Sequence, residues 1–218
     1  MREIRFLLIG LGNLGRRFCE LLVEKDVVLQ ERYGFALRLV GAADSRGTAY
    51  SPEGLSPALV AQLKREGRSI ADYPDTGRPG ESALALVMAA EADLLLEASP
   101  VNLSQGAEPG LSCIRAAMQK GMHVSTPNKG PLVVAFRELH ELAAECGVKL
   151  RFDGTVAGGL PAINSIASTM AASKRLPSPS CCSSYQSKPS KKSSFAAGAK
   201  TTGYFIGGSL RKPVPAPK

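Results

Sequence analysis

Residues 4–9, IRFLLI, form an almost unbroken apolar run that ends at a glycine. A run this short and this continuous predicts a strand buried on both faces of a parallel sheet. The period then changes, because Leu14, Phe18, Leu21 and Leu22 recur at helical spacing through RRFCELLVEKD. A second strand is predicted over residues 37–44, LRLVGAAD. Helical patterns follow in SPALVAQLKREG and GESALALVMAA, before a strand at residues 93–98, DLLLEA. AEPGLSCIRAAMQKG predicts a helix, MHVST (122–126) a strand, PLVVAFRELHELAAECG a helix stopped by Gly147, and VKLRF (148–152) a last strand. Alternating strands and helices predict an α/β fold, a doubly wound parallel sheet of Rossmann-like type with right-handed crossovers. Such sheets bind ligands beyond the carboxyl ends of their strands. Gly10 to Gly15, Asp44, Ser99 and the pair Asn128 and Lys129 all fall at those ends.

The pattern stops abruptly after DGTVAGGLPAINS. Residues 167–218 hold 11 Ser and 6 Pro, and neither the strand nor the helix period survives there. A serine, proline and lysine mixture with few large apolar residues cannot bury enough surface to offset the entropy of ordering, so this tail is expected to be largely disordered. It also changes the meaning of the net charge of +8: nine of the 27 Lys and Arg lie in residues 167–218 with no acidic residue, leaving 18 basic against 19 acidic residues before them. The first 166 residues therefore give no charge argument for nucleic acid, and only the basic tail permits contact with a polyanion. The expected organisation is a dinucleotide-binding domain over 1–152, a short loop segment over 153–166, and the basic tail over 167–218. A shifted reading frame past about residue 166 accounts for the change in composition equally well.

No apolar run approaches the ~20 residues that span a bilayer, and Met1 leads into a strand-like run rather than a signal peptide, so a cytoplasmic protein without membrane contact is expected. None of the five cysteines (Cys19, Cys113, Cys146, Cys181 and Cys182) has zinc-ligand or CxxC spacing, so all are read as reduced and structural. His140 in an amphipathic helix and His123 in a strand expected to be buried are poor metal ligands.

Candidate chemistry begins at GLGNLG, with Gly10, Gly12 and Gly15 in GxGxxG spacing. One glycine permits the tight turn, one lets the backbone approach a pyrophosphate, and one lets helix and strand pack closely. Asn13 and Leu14 complete the loop, and the helix start offers N–H groups and a positive dipole end to phosphates. Asp44 closes the second strand, where a Rossmann unit places its ribose-binding acid. The interval from Gly15 to Asp44 is 29 residues, against about 20 in the usual fingerprint, so an insertion is expected around VVLQERYGFA. With Ser45 and Arg46 the chemistry points both ways: a carboxylate accepts from a free ribose, whereas an arginine holds a 2′-phosphate. The lean is slightly to NADP over NAD.

Taken in order, GLGNLG, AADS, LLLEASPVN, MHVSTPNKGPL and DGTVAGGLPAIN resemble the nucleotide-binding domain of homoserine dehydrogenases over about residues 3–165. The resemblance implies an NAD(P)-dependent oxidoreductase that interconverts L-homoserine and L-aspartate 4-semialdehyde in threonine, methionine and isoleucine synthesis. It implies that Lys129 lies beside the nicotinamide as the catalytic lysine, with Ser99, Pro100, Ser125 and Asn128 nearby. It implies a monovalent cation, such as sodium, held through backbone oxygens of Asp153, Val156, Gly158 and Leu160. The full-length family can oligomerise, and its members carry a substrate domain, so the resemblance implies that 153–166 is the cation-binding loop and the start of that domain, whose motifs do not follow Asn164 here; the chain is therefore expected to be truncated and impaired in turnover.

On its own terms, a lysine suits such a reaction. Reducing an aldehyde by hydride calls for a proton at the developing alkoxide, and a fixed ammonium both donates and stabilises. The competing reading is a dinucleotide-binding remnant without turnover, and the lesser one is a polyanion-binding protein acting through its tail.

Overall fold

A computed structural model describes residues 1–155 of the chain. The tail and the loop positions Val156, Gly158 and Leu160 lie outside the described residues. Within them the chain runs β1 (Arg2–Ile9), α1 (Asn13–Tyr33), β2 (Phe35–Asp44), β3 (Gly47–Tyr50), α2 (Pro57–Arg65), β4 (Gly77–Pro79), α3 (Ala83–Ala89), β5 (Leu94–Glu97), α4 (Gly110–Gln119), β6 (His123–Ser125), α5 (Lys129–Glu145) and β7 (Leu150–Arg151).

Seven strands form one sheet in the order β4-β3-β2-β1-β5-β6-β7. Strands β2, β1, β5, β6 and β7 are parallel, as the alternation of elements predicts. The fold is thus a mostly parallel, Rossmann-like sheet, and the strand order reverses around β1, which is where such sheets open a crevice.

The apolar run of β1 is continuous because both of its faces are covered. Phe6 and Leu8 pack with Cys19, Leu22, Leu39 and Val60 on the side of α1 and α2. Leu7 and Ile9 pack with Val40, Leu86, Ile114, Met118 and Leu139 on the side of α3, α4 and α5. Together these two layers fix the crevice end of the sheet, because Gly10 continues directly from the fully buried end of β1.

One expectation is corrected. The 29-residue interval before Asp44 holds no separate insertion: α1 is 21 residues long and reaches Tyr33, with Gly34 in the left-handed region as its cap. The extra turns escape a periodicity reading because their apolar side chains, Val23, Val27, Val28 and Tyr33, face outward. Two short antiparallel strands, β3 and β4, extend the parallel sheet at one edge. The reversal after β2 is an Asx turn, in which Asp44 Oδ1 accepts from the Arg46 N–H at 2.9 Å.

Lys120, just past α4, ties that helix to the end of α3. Its Nζ donates to the carbonyls of Met88 and Ala90 at 2.6 Å and of Val87 at 3.2 Å. A cation satisfying the last carbonyls of a helix is favourable through both hydrogen bonds and the dipole. Lys120→Met is therefore expected to lower stability by about 1 to 2 kcal/mol, read as a shift of the urea midpoint; an unchanged midpoint would remove this role.

The described cysteines, Cys19, Cys113 and Cys146, are free. Burial pushes the thiols of Cys19 and Cys113 up to about 12, which leaves them inert at neutral pH. No helix among the described residues is long and apolar enough to cross a membrane.

Candidate functional site

A cleft of about 460 Å³ opens at the carboxyl ends of β1, β2 and β5. Eight of the residues singled out from sequence line it: Gly10, Gly12, Asn13, Leu14, Asp44, Ser45, Ser99 and Pro100. Lys64 from α2, Ala83 from α3 and Pro109 before α4 complete its wall.

At the glycine loop the three glycines divide their tasks. Gly10 has φ +92°, and a Cβ there would lie 2.4 Å from the Ala98 carbonyl atoms. A Cβ on Gly15 would lie 2.2 Å from the Gly10 carbonyl oxygen. Gly12 has nothing within 4 Å of its Cβ position and is exposed on the cleft. It is also the N-cap of α1, with no side-chain cap and no acid in the first turn. Helices α2, α3 and α5 bond a first-turn N–H to Ser56, Ser82 and Asn128 respectively. The start of α1 thus keeps its N–H groups and positive dipole end for an anion.

Asp44 stands at the cleft as expected, but its carboxylate is already engaged. It accepts from Lys64 Nζ at 2.7 Å, Ser69 Oγ at 2.9 Å and the Ile70 N–H at 2.9 Å, besides the Arg46 N–H. Burial pushes its pKa up, and the bonds from Lys64, Ile70, Arg46 and Ser69 outweigh this and hold it below the usual carboxylate range. Lys64 was not legible as a site residue, because only the fold brings α2 back across the end of β2. Arg46 is exposed beside the cleft rather than on its lining, with one guanidinium nitrogen donating to the Gly67 carbonyl at 2.9 Å.

On the other side of β5 lies a second group of polar residues. Glu97, the last residue of β5, is fully buried. Its carboxylate accepts from the Ser99 N–H at 2.8 Å, from the Ser99 hydroxyl and from Thr126 Oγ1 at 2.9 Å. Asn128 is buried, donates to Ser99 Oγ at 3.3 Å, and caps α5 by accepting from the Gly130 N–H at 3.0 Å. Ser125 lines a smaller hollow of about 190 Å³ with Leu14, Gly15, Glu97 and Pro127. Lys129 is exposed as the first residue of α5, immediately after the Asn128 cap. A cation in the first turn gains nothing from the helix dipole, so helix stability does not account for a lysine there. Among the named candidates, Gly15, Arg46, Ser125, Asn128 and Lys129 are off the lining of the larger cleft.

His123 is exposed in β6, contrary to the expected burial, and its Nδ1 accepts from the Lys149 N–H at 3.1 Å. Its place at the amino end of a three-residue strand explains the exposure. His140 packs against Phe136 and Phe152 at 4.5 and 5.6 Å between ring centres. No group of three or more His, Cys, Asp or Glu among the described residues could hold a metal. For the implied cation, Asp153 is the single expected donor within the described residues. Its side-chain Oδ1 is buried with no hydrogen-bond partner among the described residues, but the resemblance implies the backbone oxygen as donor, so this atom gives no support to the cation.

A mostly parallel sheet, a glycine loop at the switch in strand order and an uncapped helix start define a dinucleotide-binding α/β domain. The family described as homoserine dehydrogenase, NAD binding domain, matches residues 10–153, and the chain belongs to it. Its relatives include the homoserine dehydrogenase of Methanocaldococcus jannaschii, 31% identical over 78% of this chain and 50% of that protein. The NAD(+)-dependent homoserine dehydrogenase of Pseudomonas canavaninivorans is 32% identical over 75% of this chain and 46% of that protein. Among solved structures, the homoserine dehydrogenase of Thermoplasma acidophilum superposes with a TM-score of 0.65 at 27% identity, over 78% of this chain and 49% of that one. A mutant of a hyperthermophilic archaeal homoserine dehydrogenase in complex with NADPH shares the fold, with a TM-score of 0.66 at 21% identity. The chain spans about half the length of the curated relatives it matches.

Proposed function

We propose that the chain supplies the dinucleotide-binding half of a homoserine dehydrogenase, an NAD(P)-dependent oxidoreductase acting between L-homoserine and L-aspartate 4-semialdehyde in amino-acid biosynthesis. The observation that carries this reading is the cleft itself: Gly12 is open toward it, and the N–H groups of α1 next to it have no side-chain cap. A bound nicotinamide dinucleotide would supply hydride transfer. The chain's own residues would do the rest: Gly10 to Gly15 hold the pyrophosphate, Ser99, Pro100 and Asn128 bound the nicotinamide side, and Lys129 provides the proton at the substrate oxygen.

Coenzyme choice is read from the charges around the ribose end. Lys64 and Arg46 offer two cations to a 2′-phosphate, while Asp44, whose two oxygens already accept four hydrogen bonds, could accept from a free ribose hydroxyl only by giving one of them up. The cation pair favours NADP. Lys64→Met and Arg46→Ala are each expected to weaken NADP more than NAD, by about 1 to 3 kcal/mol. Titration calorimetry with both dinucleotides checks this, and equal losses for the two would remove the assigned roles. No heat from the wild-type chain with either dinucleotide at millimolar concentration would end the whole reading.

Binding without turnover is the second reading of the same cleft, whose lining holds the glycine loop but not Lys129. Homoserine-dependent reduction of NAD or NADP by the purified chain, abolished by Lys129→Ala, would decide against it. Cytoplasmic location, expected from the sequence, and oligomerisation, which the family resemblance allows, are part of this proposal.

A further inference from the structure

We propose that Glu97 is a positioning residue of the cofactor site: its carboxylate locks Ser99, Thr126 and Asn128 into one wall, which sets where the nicotinamide end of a dinucleotide rests. This inference rests on the cofactor reading above and deepens it at one end of the cleft.

The first argument is the residue type. β5 reads LLLE, and Glu97 is the fully buried last position of a strand whose neighbours are leucines. A carboxylate so placed is costly unless every oxygen is bonded. No salt bridge among the described residues involves Glu97, and its partners at hydrogen-bond distance are neutral donors. A leucine would serve the core better, so the groups the acid gathers, rather than packing, account for it.

Those groups come from two different loops. Ser99 follows β5 and lines the cleft; Thr126 and Asn128 follow β6. Thr126 Oγ1 donates to Glu97 and accepts from the Asn128 N–H at 3.0 Å. Asn128 then caps α5 at Gly130, so an unbroken series of bonds runs from Glu97 to the turn that carries Lys129. A third element is fitted to the same carboxylate: a Cβ on Gly110, at the start of α4, would lie 3.0 Å from both Glu97 Oε1 and Asn128 Nδ2. The start of α4 therefore approaches the acid closely, with the favourable end of its dipole toward it. Glu97 does not line the larger cleft and acts through Ser99 and Asn128.

The test separates positioning from packing by comparing ligands that have a nicotinamide with ligands that lack it. Glu97→Gln keeps the shape and removes the charge and one acceptor; Thr126→Val removes the hydroxyl between the two loops. Dissociation constants of wild type and variants are measured for NAD against ADP-ribose, and for NADP against ADP-ribose 2′-phosphate. Emission of bound NADH and NADPH is recorded in parallel. The expected result is fragment affinity within about twofold of wild type, dinucleotide affinity reduced on the order of tenfold, and emission shifted toward that of the free coenzyme. Equal losses for fragment and dinucleotide, or none, overturn the inference, as does the failure of both variants to fold, which would assign Glu97 to the core alone. A wild type that binds no dinucleotide removes the cofactor reading and this inference with it, whereas a wild type that binds while the variants keep its ratio removes this inference only.

Discussion

Gly12→Val is expected to leave the chain folded and to abolish dinucleotide binding, while Gly15→Val unfolds it. The two glycines stand three residues apart in one loop, yet they meet different surroundings. A Cβ at Gly15 would sit 2.2 Å from the Gly10 carbonyl oxygen, and backbone atoms cannot yield as a flexible side chain can. Strain of this kind in a core contact costs upward of about 4 kcal/mol, a large share of the ~5 to 15 kcal/mol that holds a domain together. Gly12 has φ −72°, which any residue adopts, and open space where its Cβ would be. The cost to folding there is only the weaker N-cap, about 1 kcal/mol. The valine would instead fill the space in which a pyrophosphate approaches the N–H groups of α1, with a loss of affinity of at least about a hundredfold, near 3 kcal/mol. Circular dichroism melts combined with calorimetry check both halves. A folded Gly12→Val chain that still binds NAD or NADP would show that the phosphates are held elsewhere.

Much of this site was legible because it sits in local sequence. The glycine loop is read from a strand, three glycines and a helix arriving in order, and the core strands from continuous apolar runs that only a doubly covered sheet explains. The antiparallel edge was not legible: β3 is GTAY and β4 is GRP, too short to carry a period, and β4 ends in a proline that suits an edge. The length of α1 was hidden by the outward-facing Val27 and Val28, which break the helical pattern of burial. Lys64 and Glu97 were missed for a different reason. Each matters through partners distant in sequence: Asp44 is 20 residues from Lys64, and Thr126 is 29 residues from Glu97. A buried acid closing a leucine run was the available signal for Glu97, since a charge at such a position calls for partners somewhere in the fold.

Asp44→Asn is expected to destabilise the chain at neutral pH and to raise its preference for NADP over NAD, two effects with one cause. The carboxylate gathers Lys64 Nζ, Ser69 Oγ and the N–H groups of Arg46 and Ile70, and with a side chain only 7% exposed it is shielded from solvent. An amide in its place turns an NH₂ toward donors that now lack an acceptor, at a cost of about 2 to 4 kcal/mol. The sign of the pH dependence follows from the direction of the shift. Asp44 is held below its ordinary value in the folded chain, so its contribution is fully present above the unfolded value of about 3.9 and is lost as pH falls through the lower folded value. The stability gap between wild type and Asp44→Asn should therefore be full at pH 7 and close below about pH 4. The same substitution removes a negative charge beside Lys64 and Arg46, which favours a 2′-phosphate on the order of tenfold. Urea denaturation at several pH values reads the first effect and calorimetry with both dinucleotides the second. A gap that stays constant from pH 7 to pH 3 would mean that Asp44 works through shape alone, and an unchanged ratio of the two affinities would mean that its charge does not reach the ribose.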